Sequence, residues 1–363
     1  MQSIIAKVLL IIGGIFGTVV ATSTMQTDVI NKNVADGVVL GASTTAISAA
    51  GKVYTQAQLL TMASSKMTTL TLGDNKYVTG APKQGYVYLC HVNKDSNQGA
   101  GTDGPWISGT TWLPQQKVSV DGNLSWSNAT FKNIISGAKR LLTGNNLPID
   151  HTTGNFPIDK NSTAGQYDRN PNSIKTQNLS YSISANPIYS STPTCEGGEV
   201  GIMLSGVPIF NGFDAKVRDA QAHEVQDNCS GHPQEKGEYH YHGLSNCFKN
   251  IFVTNVLGFA LDGFPITGPQ VAEGKYLHTK DLDVCHGINS QIILDGKKIN
   301  IYHYVMTEDF PYSVSCFRGT PIQMGGQTPT SPSLPPDRRG IRQAGQTPPQ
   351  PALDACSGKQ SGS

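Results

Sequence analysis

The longest apolar run of the chain stands at its beginning, where residues 8–21 (VLLIIGGIFGTVVA) follow Lys7 and close on the small residues Val19-Val20-Ala21. A basic residue, an apolar stretch and small side chains form the pattern of an export signal, expected over residues 1–21. Counted over residues 4–21, the run approaches the ~20 residues that cross a bilayer, so a retained N-terminal membrane anchor is the alternative. Residues 22–84 are expected to form a linker and a short N-terminal region, small and polar at first. Within it, Thr55 and Gln58 have the spacing of a capping box, which predicts a short helix carrying Leu59, Leu60 and Met62.

From about Tyr86 the texture becomes that of strands. Asp121-Gly122 between KVSV and NLSW, and Asp295-Gly296 between IIL and KKINIYHY, predict two hairpins with two-residue turns. Phe131, Ile134, Ile135, Ala138, Leu141 and Leu142 recur at helical spacing and predict a helix, with Gly137 speaking against it. Residues 143–195 are rich in Asn, Ser, Thr and Pro and predict long ordered loops in place of regular elements. From Gly326 on, residues 326–363 form a Pro-rich tail, extended or disordered. The expected fold class is mainly β: a loop-rich antiparallel sheet domain over residues 85–325, sandwich- or barrel-like, with few short helices.

Composition narrows the partners. A net charge of +1 with only 15% charged residues supplies no field to gather nucleic acid. With 39 Gly and 21 Pro marking turns, the surface is built from Ser, Thr, Asn and Gln, which suits a protein outside the cell. The seven cysteines are disulfide candidates, and none stands in a CxxC pair. Cys229 with Cys247 and Cys285 with Cys316 bracket two histidine-bearing segments and are the expected pairs, with Cys356 the odd one out. The localisation expected is extracytoplasmic, secreted or held at the cell membrane.

The chemistry concentrates in one segment: Gly231-His232-Pro233, then Tyr239-His240-Tyr241-His242-Gly243. If residues 238–242 are extended, His240 and His242 project to one face and the two tyrosines to the other. Two imidazoles on one face, joined by His232 from the preceding loop, can converge on one ion. Neutral imidazole suits zinc and copper, and three histidines with an open fourth position can activate a water. The alternative is a polar ribbon whose imidazoles bond separately to carbonyls.

Further ligand candidates are Glu224, Asp227, His286 and His303. His223 and Asp227 would share a face if residues 214–229 are helical, and Tyr302-His303-Tyr304 echoes the first Tyr-His-Tyr, so a partner strand there would add His303 to the cluster. Asp262 is expected to be a turn aspartate, and His91, His151 and His278 carry no spacing signal. No Gly-x-Ser-x-Gly elbow, phosphate-cradling loop or His-Glu-x-x-His is present.

These motifs, in order, resemble the signature of YHYH-domain proteins. Asp227-x-Cys229-x-Gly231-His232-Pro233 and Tyr239-His240-Tyr241-His242 are followed by Ala260-Leu261-Asp262-Gly263-Phe264-Pro265-Ile266, Leu282-Asp283-x-Cys285-His286-Gly287, Tyr302-His303-Tyr304, Phe310-Pro311-Tyr312 and Cys316-Phe317-Arg318-Gly319. The resemblance spans about residues 85–325 and implies an exported protein of a kind common in bacteria. It singles out His232, His240 and His242, whereas His303, followed by Tyr304-Val305, departs from the full repeat.

Three functions are compatible with these features. The first is an exported protein binding copper or zinc through His232, His240 and His242, with Glu224, Asp227, His286 or His303 completing the shell. The second is a metal-dependent hydrolase with Glu224 or Asp262 as proton acceptor. The third is a structural or adhesive surface protein without metal.

Overall fold

A computed structural model describes residues 51–92 and 101–322. The signal or anchor expected at residues 1–21, the tail from 326 and Cys356 lie outside them. Among the described residues no helix is long and apolar enough to cross a membrane. The fold is mainly β and rich in loops, as expected, and among the described residues no sheet closes into a barrel. Helix α1 (Gln56–Met62) opens with the capping box that Thr55 and Gln58 predict.

A three-stranded antiparallel sheet contains β1 (Phe131–Ser136), β2 (Lys139–Gly144) and β3 (Leu179–Ser184). The helix predicted over its first part is therefore a hairpin. Gly137 has φ +59 and makes, with Ala138, a two-residue turn pairing Ser136 with Lys139, so the chain reverses where a helix would continue. β3 also corrects the expectation of loops throughout 143–195: Leu179, Tyr181 and Ile183 alternate inward onto the core. The hairpin predicted at Asp121-Gly122 does not form. Its two arms take other partners, Val120 donating to the Gln226 carbonyl and Leu124 exchanging backbone bonds with Thr153.

The largest sheet has eight strands: β4 (Glu199–Met203), β5 (Pro208–Phe210), β6 (Gly231–Pro233), β7 (Tyr239–Tyr241), β8 (Val256–Ala260), β9 (Pro265–Thr267), β10 (Gly287–Leu294) and β11 (Lys297–Val305). Their order is β6-β7-β5-β4-β8-β9-β11-β10. The Asp295-Gly296 turn joins β10 to β11 as predicted, with φ +49 and +76. The sheet is not antiparallel throughout, since β5 runs parallel to β7 and β9 to β11. A four-residue helix, α2 (Ala220–His223), precedes β6, in place of the longer one considered for 214–229.

The strand order is a palindrome, and its two halves are the same unit twice. Leu204-Ser205-Gly206-Val207-Pro208-Ile209 corresponds to Leu261-Asp262-Gly263-Phe264-Pro265-Ile266, with Gly206 at φ +86 and Gly263 at φ +92. Asp227-x-Cys229-Ser230-Gly231 corresponds to Asp283-x-Cys285-His286-Gly287, with Ser230 and His286 both left-handed at φ +63 and +70. Gly231 faces Tyr241 as Gly287 faces Tyr304, and Ile209 faces Tyr241 as Ile266 faces Tyr304. At the centre, the equivalent residues Ile202 and Phe259 lie opposite each other. The bonds flanking them are also reciprocal: Leu204 N–H to the Leu257 carbonyl, and Leu261 N–H to that of Val200. A local two-fold axis therefore passes between β4 and β8.

Each unit is fastened by the same clasp. Asp227 Oδ1 accepts from the Cys229 and Gly231 amides, and both its oxygens accept from the Tyr239 hydroxyl. Asp283 Oδ1 accepts from the Cys285 and Gly287 amides and from the Tyr302 hydroxyl. The tyrosine side chains lie so close over Gly231 and Gly287 that an added Cβ would come within 2.3 Å of the Tyr239 ring and 2.2 Å of the Tyr302 hydroxyl, so neither position accepts a side chain. Disulfides Cys229–Cys247 and Cys285–Cys316 pair as expected, and a third joins Cys90 to Cys195.

Removing Asp227 strands a tyrosine hydroxyl and three amides, that of Gly154 included, and removing Asp283 strands a tyrosine hydroxyl, two amides and the Arg318 guanidinium. Asp227→Ala and Asp283→Ala are each expected to cost about 2–4 kcal/mol of unfolding free energy, against less than about 0.5 kcal/mol for the exposed Asp121→Ala. Urea denaturation of the three variants measures this.

Candidate metal centre

Strand β7 does with its side chains what period-two geometry dictates. Tyr239 and Tyr241 enter the core, and His240 joins His242, just past the strand end, on the other face. Strand β6 lies antiparallel to β7 with His232 directly opposite His240, which brings the third ring over. The ring centroids of His232 lie 4.6 Å from His240 and 5.3 Å from His242. One ring nitrogen of each of the three lies within 4.8 Å of the others, and all three residues are buried. Phe210, at the end of β5, stacks on His240 at 4.3 Å.

The hydrogen bonds determine where the protons sit. His240 Nδ1 lies 3.1 Å from the Glu238 carbonyl and His242 Nδ1 lies 2.6 Å from that of Asn211. A carbonyl only accepts, so both Nδ1 atoms carry the proton and both Nε2 atoms present lone pairs. Those two Nε2 atoms face each other 3.1 Å apart. Two lone pairs at that distance repel unless a cation stands beside both. Nitrogens bound to one tetrahedral ion at 2.0–2.1 Å are separated by about 3.3 Å, close to what is seen here. His232 adds two ring nitrogens without a hydrogen-bond partner.

Glu224, at the end of α2, completes the group. Its Oε2 has no hydrogen-bond partner and lies 3.4 Å from Nε2 of both His232 and His242. Burial, reinforced by Asp214 and Asp168, raises its carboxyl well above the usual range. Burial also holds the imidazoles neutral, pushing His240 down to about 3, His242 to about 4 and His232 well below the usual value. The centre opens on a cavity of about 970 Å³, whose walls include Phe210, Tyr167, Asn170 and Arg169 as well as the three histidines and Glu224.

The other candidates lie elsewhere. Asp227 is spent on the clasp and turns away from the rings. His303 stands at the place in the second unit that His240 holds in the first, bonded to Thr267 and Ser290. Because β7 and β11 are separated by four strands, the second Tyr-His-Tyr cannot add a ring to the cluster. His286 contacts Thr307. His223 bonds to Asp74 and Asp103, and with α2 ending at that residue it shares no helical face with Asp227. Asp262 does sit in a turn, accepting from the Phe264 amide, but it is buried and also receives the Tyr304 hydroxyl and the Gly319 amide. The Asn211 carbonyl and Phe210 carry no motif, and the second unit has Thr267 and Gly268 in their places, so no signal in the sequence marks them. Where the first unit has Glu224, His232 and His242, the second has Lys280, Ile288 and Val305, so these three side chains are not needed to build the unit.

Residues 180–276 match the family model described as YHYH protein. The matched stretch holds the first unit entire and the first hairpin of the second. No curated protein and no solved structure matches the chain.

Depressed histidines give a defined pH response. The unfolded chain takes up protons near pH 6.5, whereas these folded imidazoles resist protonation to about 3–4, so their contribution to stability falls as pH is lowered through that window. Denaturation of metal-free protein between pH 7 and 4 should show a falling midpoint, with a shallower fall in His240→Ala/His242→Ala.

Proposed function

Taking the chain as a YHYH-domain protein, we propose that it binds a transition metal, zinc or copper, through His232, His240 and His242, with Glu224 beside them. One observation carries this: two imidazoles whose Nδ1 protons are tied to carbonyls direct their Nε2 lone pairs at each other across 3.1 Å. A polar ribbon of separately bonded histidines would leave no such pair, and His232 would have partners. Three disulfides point to an oxidising, extracytoplasmic setting, and we propose export through residues 1–21, cleaved or kept as an anchor.

The cavity and Glu224 support a hydrolytic role over storage alone. His232, His240 and His242 would hold the metal, which when bound would supply the acidity to activate a water from the cavity. A bound divalent cation would draw Glu224 into its carboxylate form, and its unpartnered oxygen, 3.4 Å from Nε2 of both His232 and His242, would then serve as the proton acceptor.

Elemental analysis of purified protein should find about one zinc or copper per chain, and His240→Ala/His242→Ala should lose it. Equal metal content in both would remove the proposal. Glu224→Gln separates the two roles: a carboxylate held as a ligand lowers metal affinity about 10–100-fold when replaced, whereas a proton acceptor leaves the metal bound and abolishes turnover of generic ester or phosphoester substrates.

A further inference from the structure

The three-histidine cluster is not the only set of metal-ligating atoms brought together among the described residues. A ring nitrogen of His151 and the two sulfurs of Cys229–Cys247 also lie within 4.8 Å of one another. Among the described residues no such group forms at Cys90–Cys195 or Cys285–Cys316. The hydrogen bonds of the imidazole set its tautomer. Its Nδ1 lies 2.9 Å from the Thr152 carbonyl and so carries the proton, leaving the lone pair on Nε2. That lone pair accepts from the Tyr241 hydroxyl at 2.5 Å. Tyr241 has a second partner in Ser205 Oγ, 3.2 Å away, so its hydroxyl stays bonded if Nε2 is released. In the second unit the corresponding hydroxyl, of Tyr304, donates to Asp262, so the imidazole beside this disulfide belongs to the first unit alone.

We propose that Cys229, Cys247 and His151 form a second, redox-gated metal centre, a crosslink when oxidised and a site for a zinc-like cation when reduced. Cys247 is partly exposed and Cys229 buried, so a dithiol reductant attacks the Cys247 sulfur. The S–S bond breaks, Cys229 leaves as thiolate, and a mixed disulfide joins Cys247 to the reductant. The reductant's second thiolate then attacks its own bound sulfur, releasing Cys247 as thiolate and leaving the reductant as a cyclic disulfide. Two electrons pass from reductant to protein, and the reductant's two protons go to the cysteine sulfurs or to solvent. The two thiolates cancel the charge of a divalent cation, His151 supplies a neutral nitrogen, and a water takes the fourth tetrahedral position. Thiolates select a softer cation than the neighbouring nitrogen cluster does.

Cobalt(II) titration of the full chain, oxidised and phosphine-reduced, tests this by absorbance. Reduction should add about one cobalt per chain and a sulfur-to-cobalt charge-transfer band, whatever the oxidised form binds. Cys229→Ser/Cys247→Ser should lose both, Cys285→Ser/Cys316→Ser should keep both, and His151→Ala should weaken the added site at least about tenfold. A stoichiometry unchanged by reduction overturns the proposal, as does a band that survives Cys229→Ser/Cys247→Ser or an affinity indifferent to His151→Ala. Cobalt bound by the oxidised form reports on the three-histidine centre separately, so the two proposals fail independently.

Discussion

The organisation of the sheet depends on a carboxylate that gathers the same three donors in each unit and a fourth of its own, the Gly154 amide on Asp227 and the Arg318 guanidinium on Asp283. Asp227 and Asp283 each stand at a sharp left-handed turn, and each ties the amides of that turn to a tyrosine hydroxyl from the next strand of the ribbon. A buried carboxylate such as Asp227 is costly unless its lone pairs are filled, and the turn, the tyrosine and the Gly154 amide fill them, while the partly exposed Asp283 also pairs with Arg318. The bond fixes the register of two strands at once. In the first unit that register sets His232 opposite His240, and the outward period of the strand then adds His242. The chemistry of the centre is thus a by-product of how the ribbon is locked.

Much of this was legible in the chain. Alternation in Tyr239-His240-Tyr241-His242 sufficed to put the imidazoles together, because period two is a property of any extended backbone. The cysteine brackets and the turn at Asp295-Gly296 were equally readable. Asp121-Gly122 has the same turn chemistry as Asp295-Gly296 yet makes no hairpin, since its flanks bond to Gln226 and Thr153 from distant segments. Local preference gave way there to long-range pairing. Residues 131–142 misled in the opposite direction, because apolar positions at i and i+3 occur in a hairpin as readily as in a helix when its edge strand is exposed. The alternation of Leu179, Tyr181 and Ile183 was present but diluted by the serines between them.

What the sequence did not disclose was the partition of roles among nine histidines and several acids. Asp227 carries the same letters as a ligand would, and only its hydrogen bonds reveal that it is a fastener. The duplicated unit makes this separation within one chain. Residues shared by both halves, the aspartates, cysteines, glycines and tyrosines, build the unit, while Glu224, His232 and His242, replaced by Lys280, Ile288 and Val305, are additions to it.

The reciprocal seam between β4 and β8 has a consequence for the history of the chain. Because equivalent positions meet across it, the free border of one unit is complementary to itself. A single unit would thus have associated with a second copy in the same way, burying Ile202 or Phe259 against its twin. Fusion of two such copies relieves each of the obligation to be identical, so that one member carries Glu224, His232 and His242 where the other carries Lys280, Ile288 and Val305.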